Sequence, residues 1–199
     1  MLDVFDEKKI NHKINRLIAL FHENNYSDLL KKATDLIKQN PKNLQLLTIK
    51  AITLVNLKNY KEAIKHYKLC LKYHPYDINS YFNIGSAYQD NDEIDNAILS
   101  YKKVLDIDHN HFGSLFNMGV IYNDKKEFSR AIFYYKNALK VNPKDVSVYY
   151  NLGLIYDELC KYNLSIRYYK TAIQLNPNFT DTYFNIASVF ERLSKYDNS

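Results

Sequence analysis

The chain has 199 residues, 46% hydrophobic and 25% charged, a balance that folds around a core rather than staying disordered. Four glycines and four prolines supply too little turn chemistry for a β-sandwich or barrel and no glycine-rich phosphate loop, and a formal charge of +5 is too small to name nucleic acid as a partner. Two cysteines, Cys70 and Cys160, build no disulfide framework, the start MLDVFDEKKI has no basic segment followed by an apolar run, and no stretch nears the ~18 apolar residues of a membrane span. The expectation is a reduced, cytoplasmic protein with no membrane partner.

In chain order, residues 1–9 read as an extension. A first, divergent helix pair follows over residues 10–43, where Tyr26, Ala33, Leu36 and Pro41 keep a register whose small-residue position holds Leu17. Four units then repeat without a gap at a period of 34, over residues 44–77, 78–111, 112–145 and 146–179. A small residue recurs in one column as Ala51, Gly85, Gly119, Gly153 and Ala187. Three positions later stand Leu54, Tyr88, Tyr122, Tyr156 and Phe190; twelve later Ala63, Ala97, Ala131 and Ser165; sixteen later Tyr67, Tyr101, Tyr135 and Tyr169. Pro41, Pro75, Pro143 and Pro177 punctuate the units, with His109 replacing one proline.

Within a unit the apolar residues fall at helical spacing, Tyr81, Ile84 and Tyr88, then Ile94, Ala97, Ile98, Tyr101 and Leu105, so each unit is two amphipathic helices. Small residues let the pair approach closely, the aromatics fill the space, and proline stops the second helix. Residues 180–199 read as the first helix of a partial sixth unit or a C-terminal cap. Its apolar residues Tyr183, Ile186, Ala187, Val189, Phe190 and Leu193 have only Lys195 to Ser199 after them, where a partner helix should start. Three readings stay open for that end: a tolerated wet face, a piece of a longer protein, or a surface that stacks on another copy or a partner.

No catalytic constellation emerges. No cysteine pair has metal-ligand spacing, and the His109 and His111 pair could bind metal only adventitiously, a turn accident being the favoured reading; His66 and Cys70 share a helix face, but Cys70 falls in a column with Val104, Ala138 and Ala172 and reads as core. His109 and His111 lie in the turn that lost its proline. The Asn25, Asn163 and Asn178 glycosylation tripeptides are attributed to chance. The expectation is no enzyme activity, no cofactor and no metal.

The segments YFNIGSAY, LFNMGVIY and YYNLGLIY, followed by NAILSYKKVL, RAIFYYKNAL and LSIRYYKTAI, resemble the tetratricopeptide repeat, closely over residues 44–179. The resemblance implies an all-α, right-handed superhelical solenoid whose first helices line a concave groove where ligands lie. Two residues before the small column stand Asn15, Asn83, Asn117, Asn151 and Asn185, a row similar to the asparagine ladder in the repeat arm of protein O-linked N-acetylglucosamine transferases. An amide can donate to a carbonyl and accept from an N–H, so such a row could hold an extended peptide by its backbone; a purely structural role for the column is the competing reading. Beside it, Phe82, Phe116, Tyr150 and Phe184 offer apolar contact area or pack between first helices.

The lysine–asparagine pairs and arginine of the two-carboxylate clamp that binds acidic chaperone tails are missing from these columns, which hold Phe82 and Ser86, Phe116 and Val120, and Asn117 or Asn151. Asp90, Asp124, Asp157, Glu158 and Glu191 end the first helices, while lysines and arginines crowd the second helices, so the groove should be neutral to weakly acidic. The expected function is a protein–protein interaction scaffold that binds a neutral or basic extended peptide segment in the groove, with no nucleic acid partner. Two alternatives stand beside it: a substrate-recruiting arm of a glycosyltransferase or other group-transfer enzyme, and a self-associating assembly factor forming a homo-oligomer through the C-terminal end.

Overall fold

The computed structural model describes the backbone of residues 4–197 and the side chains of residues 8–194. Every regular element among them is a helix. The order is α1 (Val4–His22), α2 (Tyr26–Gln39), α3 (Leu44–Asn56), α4 (Tyr60–Tyr73), α5 (Ile78–Asp90), α6 (Ile94–Ile107), α7 (Phe112–Asp124), α8 (Phe128–Val141), α9 (Val146–Glu158), α10 (Tyr162–Leu175) and α11 (Thr180–Asp197). Odd-numbered elements are the first helices of each pair and even-numbered ones the second. The chain divides into two compact units, one holding α1–α6 and ending at Ile107, the other holding α7–α11 from Asp108.

Helix ends follow the 34-residue period as closely as the core does. The first helices α3, α5, α7 and α9 are each capped by a side chain, from Asn43, Asp77, His111 and Asp145, accepting from the backbone N–H three residues on. Their partners are Leu46, Ser80, Ser114 and Val148. At the other end, Asn24, Lys58, Asp92, Lys126 and Cys160 adopt left-handed backbone with φ between 54° and 60°. The residue after each donates its N–H five residues back, for example Asn59 to Leu54, Glu93 to Tyr88 and Glu127 to Tyr122, each at 2.8 Å. This bond satisfies carbonyls that the helix end leaves without a partner, and it does so in every pair without a glycine.

The small column is explained by one ring per unit. Tyr101, Tyr135 and Tyr169 are fully buried, and a Cβ built on Gly85, Gly119 or Gly153 would lie 2.5–2.6 Å from the tyrosine ring of the same unit. The ring occupies the volume that any larger side chain would need. Around these contacts the buried alanines Ala97, Ala131 and Ala172 keep the helices of each pair close. Ser165, in the alanine column, donates from its buried Oγ to the Gly153 carbonyl at 2.8 Å.

Two features differ from the sequence-based expectation. Residues 4–9, expected as an extension, are already helical, because α1 begins at Val4; residues 1–3 lie outside the described residues. The stretch where a partner helix was expected to start stays in α11 through Asp197, and the side chains of Lys195 to Ser199 lie outside the described residues.

Candidate functional site

The asparagine column divides between the two units. Asn15 and Asn83 belong to the first, exposed on α1 and half-buried on α5; Asn117, Asn151 and Asn185 belong to the second, half-buried at one register on α7, α9 and α11. Asn185 is tied into the fold, its Nδ2 donating to the Tyr150 hydroxyl at 2.9 Å. Asn83 and Asn151 make no side-chain hydrogen bond to any described residue, so their amides are open to an outside donor and acceptor. In the second repeat the column holds Ile49 instead, which with Ile18, Phe21 and Ile52 lines a purely apolar cleft of about 170 Å³.

The neighbouring aromatics behave differently from free contact residues. Phe82, Phe116 and Tyr150 pack on the buried tyrosine of their own unit, with ring centroids 5.7 Å from Tyr101, 5.8 Å from Tyr135 and 5.9 Å from Tyr169. None of the three stands free, and Tyr150 also packs toward the next first helix, its ring centroid 5.0 Å from Phe179 and its hydroxyl bonded to Asn185 on α11. Phe184 has no such ring to meet, because no second helix follows α11 among the described residues, and it is 77% exposed.

Between the C-terminal ends of α7 and α9 lies a cleft of about 310 Å³. Asp124, the last residue of α7, and Asp157 with Glu158 at the end of α9 place three carboxylates on it, faced by Lys126 from the turn after α7. Asp124 and Glu158 form no ion pair among the described residues. Asp157 is 13% exposed and accepts from Arg192 Nη2 on α11 at 2.6 Å through Oδ2, while its buried Oδ1 has no partner among the described residues. Burial raises the Asp157 carboxyl above its ordinary value, and Arg192 opposes that rise. Phe128 and Leu154 complete the wall with apolar surface.

Other candidate chemistry resolves into packing. Cys70 is buried beside Thr48, whose Oγ1 is 3.8 Å from its sulfur, and burial pushes the thiol up, which disfavours the thiolate. Burial first, then Lys50, lowers the half-buried His66. His111 acts as a cap, its Nδ1 accepting from the Ser114 N–H at 3.1 Å. No group of three metal-ligating side chains and no helix long and apolar enough to cross a membrane occurs among the described residues. On the second helices several cations are paired locally, Lys65 with Glu62, Lys103 with Asp106 and Arg130 with Glu127.

Tetratricopeptide repeat models match residues 44–77, 78–111, 114–145 and 146–179, about two thirds of the chain. The chain belongs to the tetratricopeptide repeat family. Solved structures agree on the fold of this tetratricopeptide protein. A tetratricopeptide repeat protein from Parabacteroides merdae is similar over 94% of this chain and 75% of its own, at TM-score 0.79 and 19% identity. MamA is similar over 82% and 95%, at TM-score 0.74 and 18% identity. YrrB, described as a tetratricopeptide protein with an unusual peptide-binding site, is similar over 86% and 89%, at TM-score 0.70 and 14% identity. No curated protein matches the chain.

Sequence reasoning named the asparagines and their aromatic neighbours but not the cleft. Its carboxylates come from two adjacent columns that hold Gln89 and Asp90 in one unit, Asn123 and Asp124 in the next, and Asp157 and Glu158 in the third. No motif marks such a mixture, yet the acids at consecutive helix ends were visible in the sequence.

Proposed function

We propose that this tetratricopeptide protein is an interaction scaffold without catalysis of its own, holding a neutral or basic extended segment of a partner protein on its first-helix face. In the second unit Asn117 and Asn151 would meet the segment's backbone, with Asn185, whose Nδ2 is held by Tyr150, offering its Oδ1 alone, and in the first unit Asn83 would do as Asn151 does. The observation that carries this reading is the Asn151 amide, half-buried and without a side-chain hydrogen bond among the described residues, on the same helix as the acidic side of the cleft. A row of amides reads backbone rather than side chains, so the segment's sequence is selected mainly by charge. Phe82, Phe116 and Tyr150 support the face from below, whereas the exposed Phe184 would touch the segment.

The test is affinity capture from native extract with the wild type and with a variant carrying Asn83→Ala, Asn117→Ala, Asn151→Ala and Asn185→Ala, both shown folded by circular dichroism. Partners that bind the wild type and vanish with the variant support the reading. Identical sets from both proteins contradict it.

A second reading, self-association through α11, is favoured by one observation: Tyr183, Phe184 and Phe190 are exposed on one helix. Light scattering over a concentration series tests it, since a monomer at every concentration removes it.

A further inference from the structure

The acidic cleft at the ends of α7 and α9 has no explanation in the packing. A carboxylate on the last residue of a helix lies against the partial negative charge of the carbonyls there, an arrangement that costs stability rather than adding to it. Asp124 and Glu158 both stand in that position, and neither is neutralised by an ion pair among the described residues. Lys126 is the one cation lining the cleft among the described residues, and Arg192 reaches Asp157 from α11.

A second observation, independent of the charges, comes from the tyrosines beneath. In the first unit the Tyr101 hydroxyl donates to Gln89 Oε1 at 2.9 Å and lies 3.2 Å from Ser86 Oγ. In the second unit the hydroxyls of Tyr135 and Tyr169 lie within electrostatic reach of Asp124 and Asp157, both on the cleft wall. Both tyrosines are fully buried, and neither hydroxyl meets a partner in full hydrogen-bond geometry among the described residues, although Ser165 stands near that of Tyr169. With Asp157 Oδ1, also buried and unpartnered, three polar atoms under one cleft go unmatched, where the equivalent group in the first unit is satisfied. Buried polar atoms left this way cost stability and mark a place where an outside group completes the set.

We infer that this cleft is a side-chain pocket for a cationic residue, arginine above all, of the extended segment bound on the first-helix face. The inference rests on the proposed peptide-binding reading and adds what that reading leaves open, the side-chain preference. A guanidinium supplies five N–H donors in a planar fork, enough to meet Asp124 and Glu158 and to reach the Asp157 side of the wall. Arg192, seated on Asp157 Oδ2 at 2.6 Å, is an internal instance of the same recognition. Phe128 and Leu154 cover the aliphatic stem. Lysine carries the charge as a point rather than a fork and fits less well.

The test is an amide-resolved NMR titration of the full chain with an acetylated, amidated Gly-Ser-Gly-Arg-Gly-Ser-Gly peptide and its lysine and citrulline counterparts. The arginine peptide is expected to shift residues 123–128 and 154–158, the lysine peptide to bind several-fold more weakly, and the uncharged citrulline peptide to leave these residues unmoved. Asp124→Asn with Glu158→Gln, both at exposed positions, should weaken the arginine peptide at least about fivefold. Equal affinity in that double variant, or shifts elsewhere on the chain, overturns the pocket. If Asn117→Ala with Asn151→Ala weakens all three peptides alike while the charge variant changes nothing, the peptide-binding reading survives and the pocket falls. If only the charge variant matters, the pocket survives and the amide row falls.

Discussion

The first-helix faces of α1 and α3 and of α7 and α9 are built on one 34-residue frame, yet they present opposite surfaces. The first is lined by Ile18, Phe21, Ile49 and Ile52 around an apolar cleft; the second carries Asn117 and Asn151 and ends in three carboxylates around a larger one. Beneath them the packing changes far less: a small residue faces a buried tyrosine at Ala51 and Tyr67, at Gly119 and Tyr135, and at Gly153 and Tyr169. The columns that build the fold are therefore separate from the columns that give each face its chemistry. Substitutions in one set should change stability and leave binding alone, and the reverse should hold for the other.

The largest expected effect lies in the packing set. Tyr135→Ala removes a wholly buried ring and should cost about 3–5 kcal/mol, and Gly153→Val, which forces atoms into the Tyr169 ring, about 3 kcal/mol, both read from chemical denaturation. A Gly153→Val protein as stable as the wild type would show that the ring can move aside.

Next come the tyrosine hydroxyls, which sharpen the contrast between units. Tyr101→Phe loses the bonds to Gln89 and Ser86 and should destabilise by about 1 kcal/mol, whereas Tyr135→Phe removes a buried hydroxyl with no partner and should be neutral or slightly stabilising. The difference in denaturation midpoint between the two variants is the readout. Equal losses would mean that the Tyr135 hydroxyl has a partner in solution.

Smaller again is the gain expected at the left-handed turns. Lys58→Gly relieves a strained backbone at φ 57° and should stabilise by about 0.5–1 kcal/mol, measured by thermal unfolding. The smallest effect belongs to the surface set: Asn151→Ala should shift stability by less than about 0.5 kcal/mol, since it breaks no side-chain hydrogen bond among the described residues. A loss of more than about 1 kcal/mol would make that asparagine a packing residue.

What the sequence disclosed divides along the same line. The glycine and tyrosine columns were legible because close packing admits one size at each position, so the same residue type returns every 34 residues. The left-handed column at Asn24, Lys58, Asp92, Lys126 and Cys160 was not, because glycine, the residue that usually marks such a turn, stands at none of the five. The capping column was hidden likewise by His111, which does with an imidazole nitrogen what Asp77 and Asp145 do with a carboxylate. At the face, Asn151 and Asn185 look equivalent as letters. Only the Tyr150 hydroxyl, a single oxygen where Phe116 has none, separates the engaged Asn185 amide from that of Asn151.

The most direct measurement is an amide-shift map of the full chain with a peptide selected for binding from a random extended library. Binding on the first-helix face of the second unit predicts perturbations concentrated on α7, α9 and α11, with residues 123–128 and 154–158 among the strongest when the peptide carries arginine. Perturbations confined to the second helices α4, α6, α8 and α10 would contradict it and move the interaction to their lysine-rich surface.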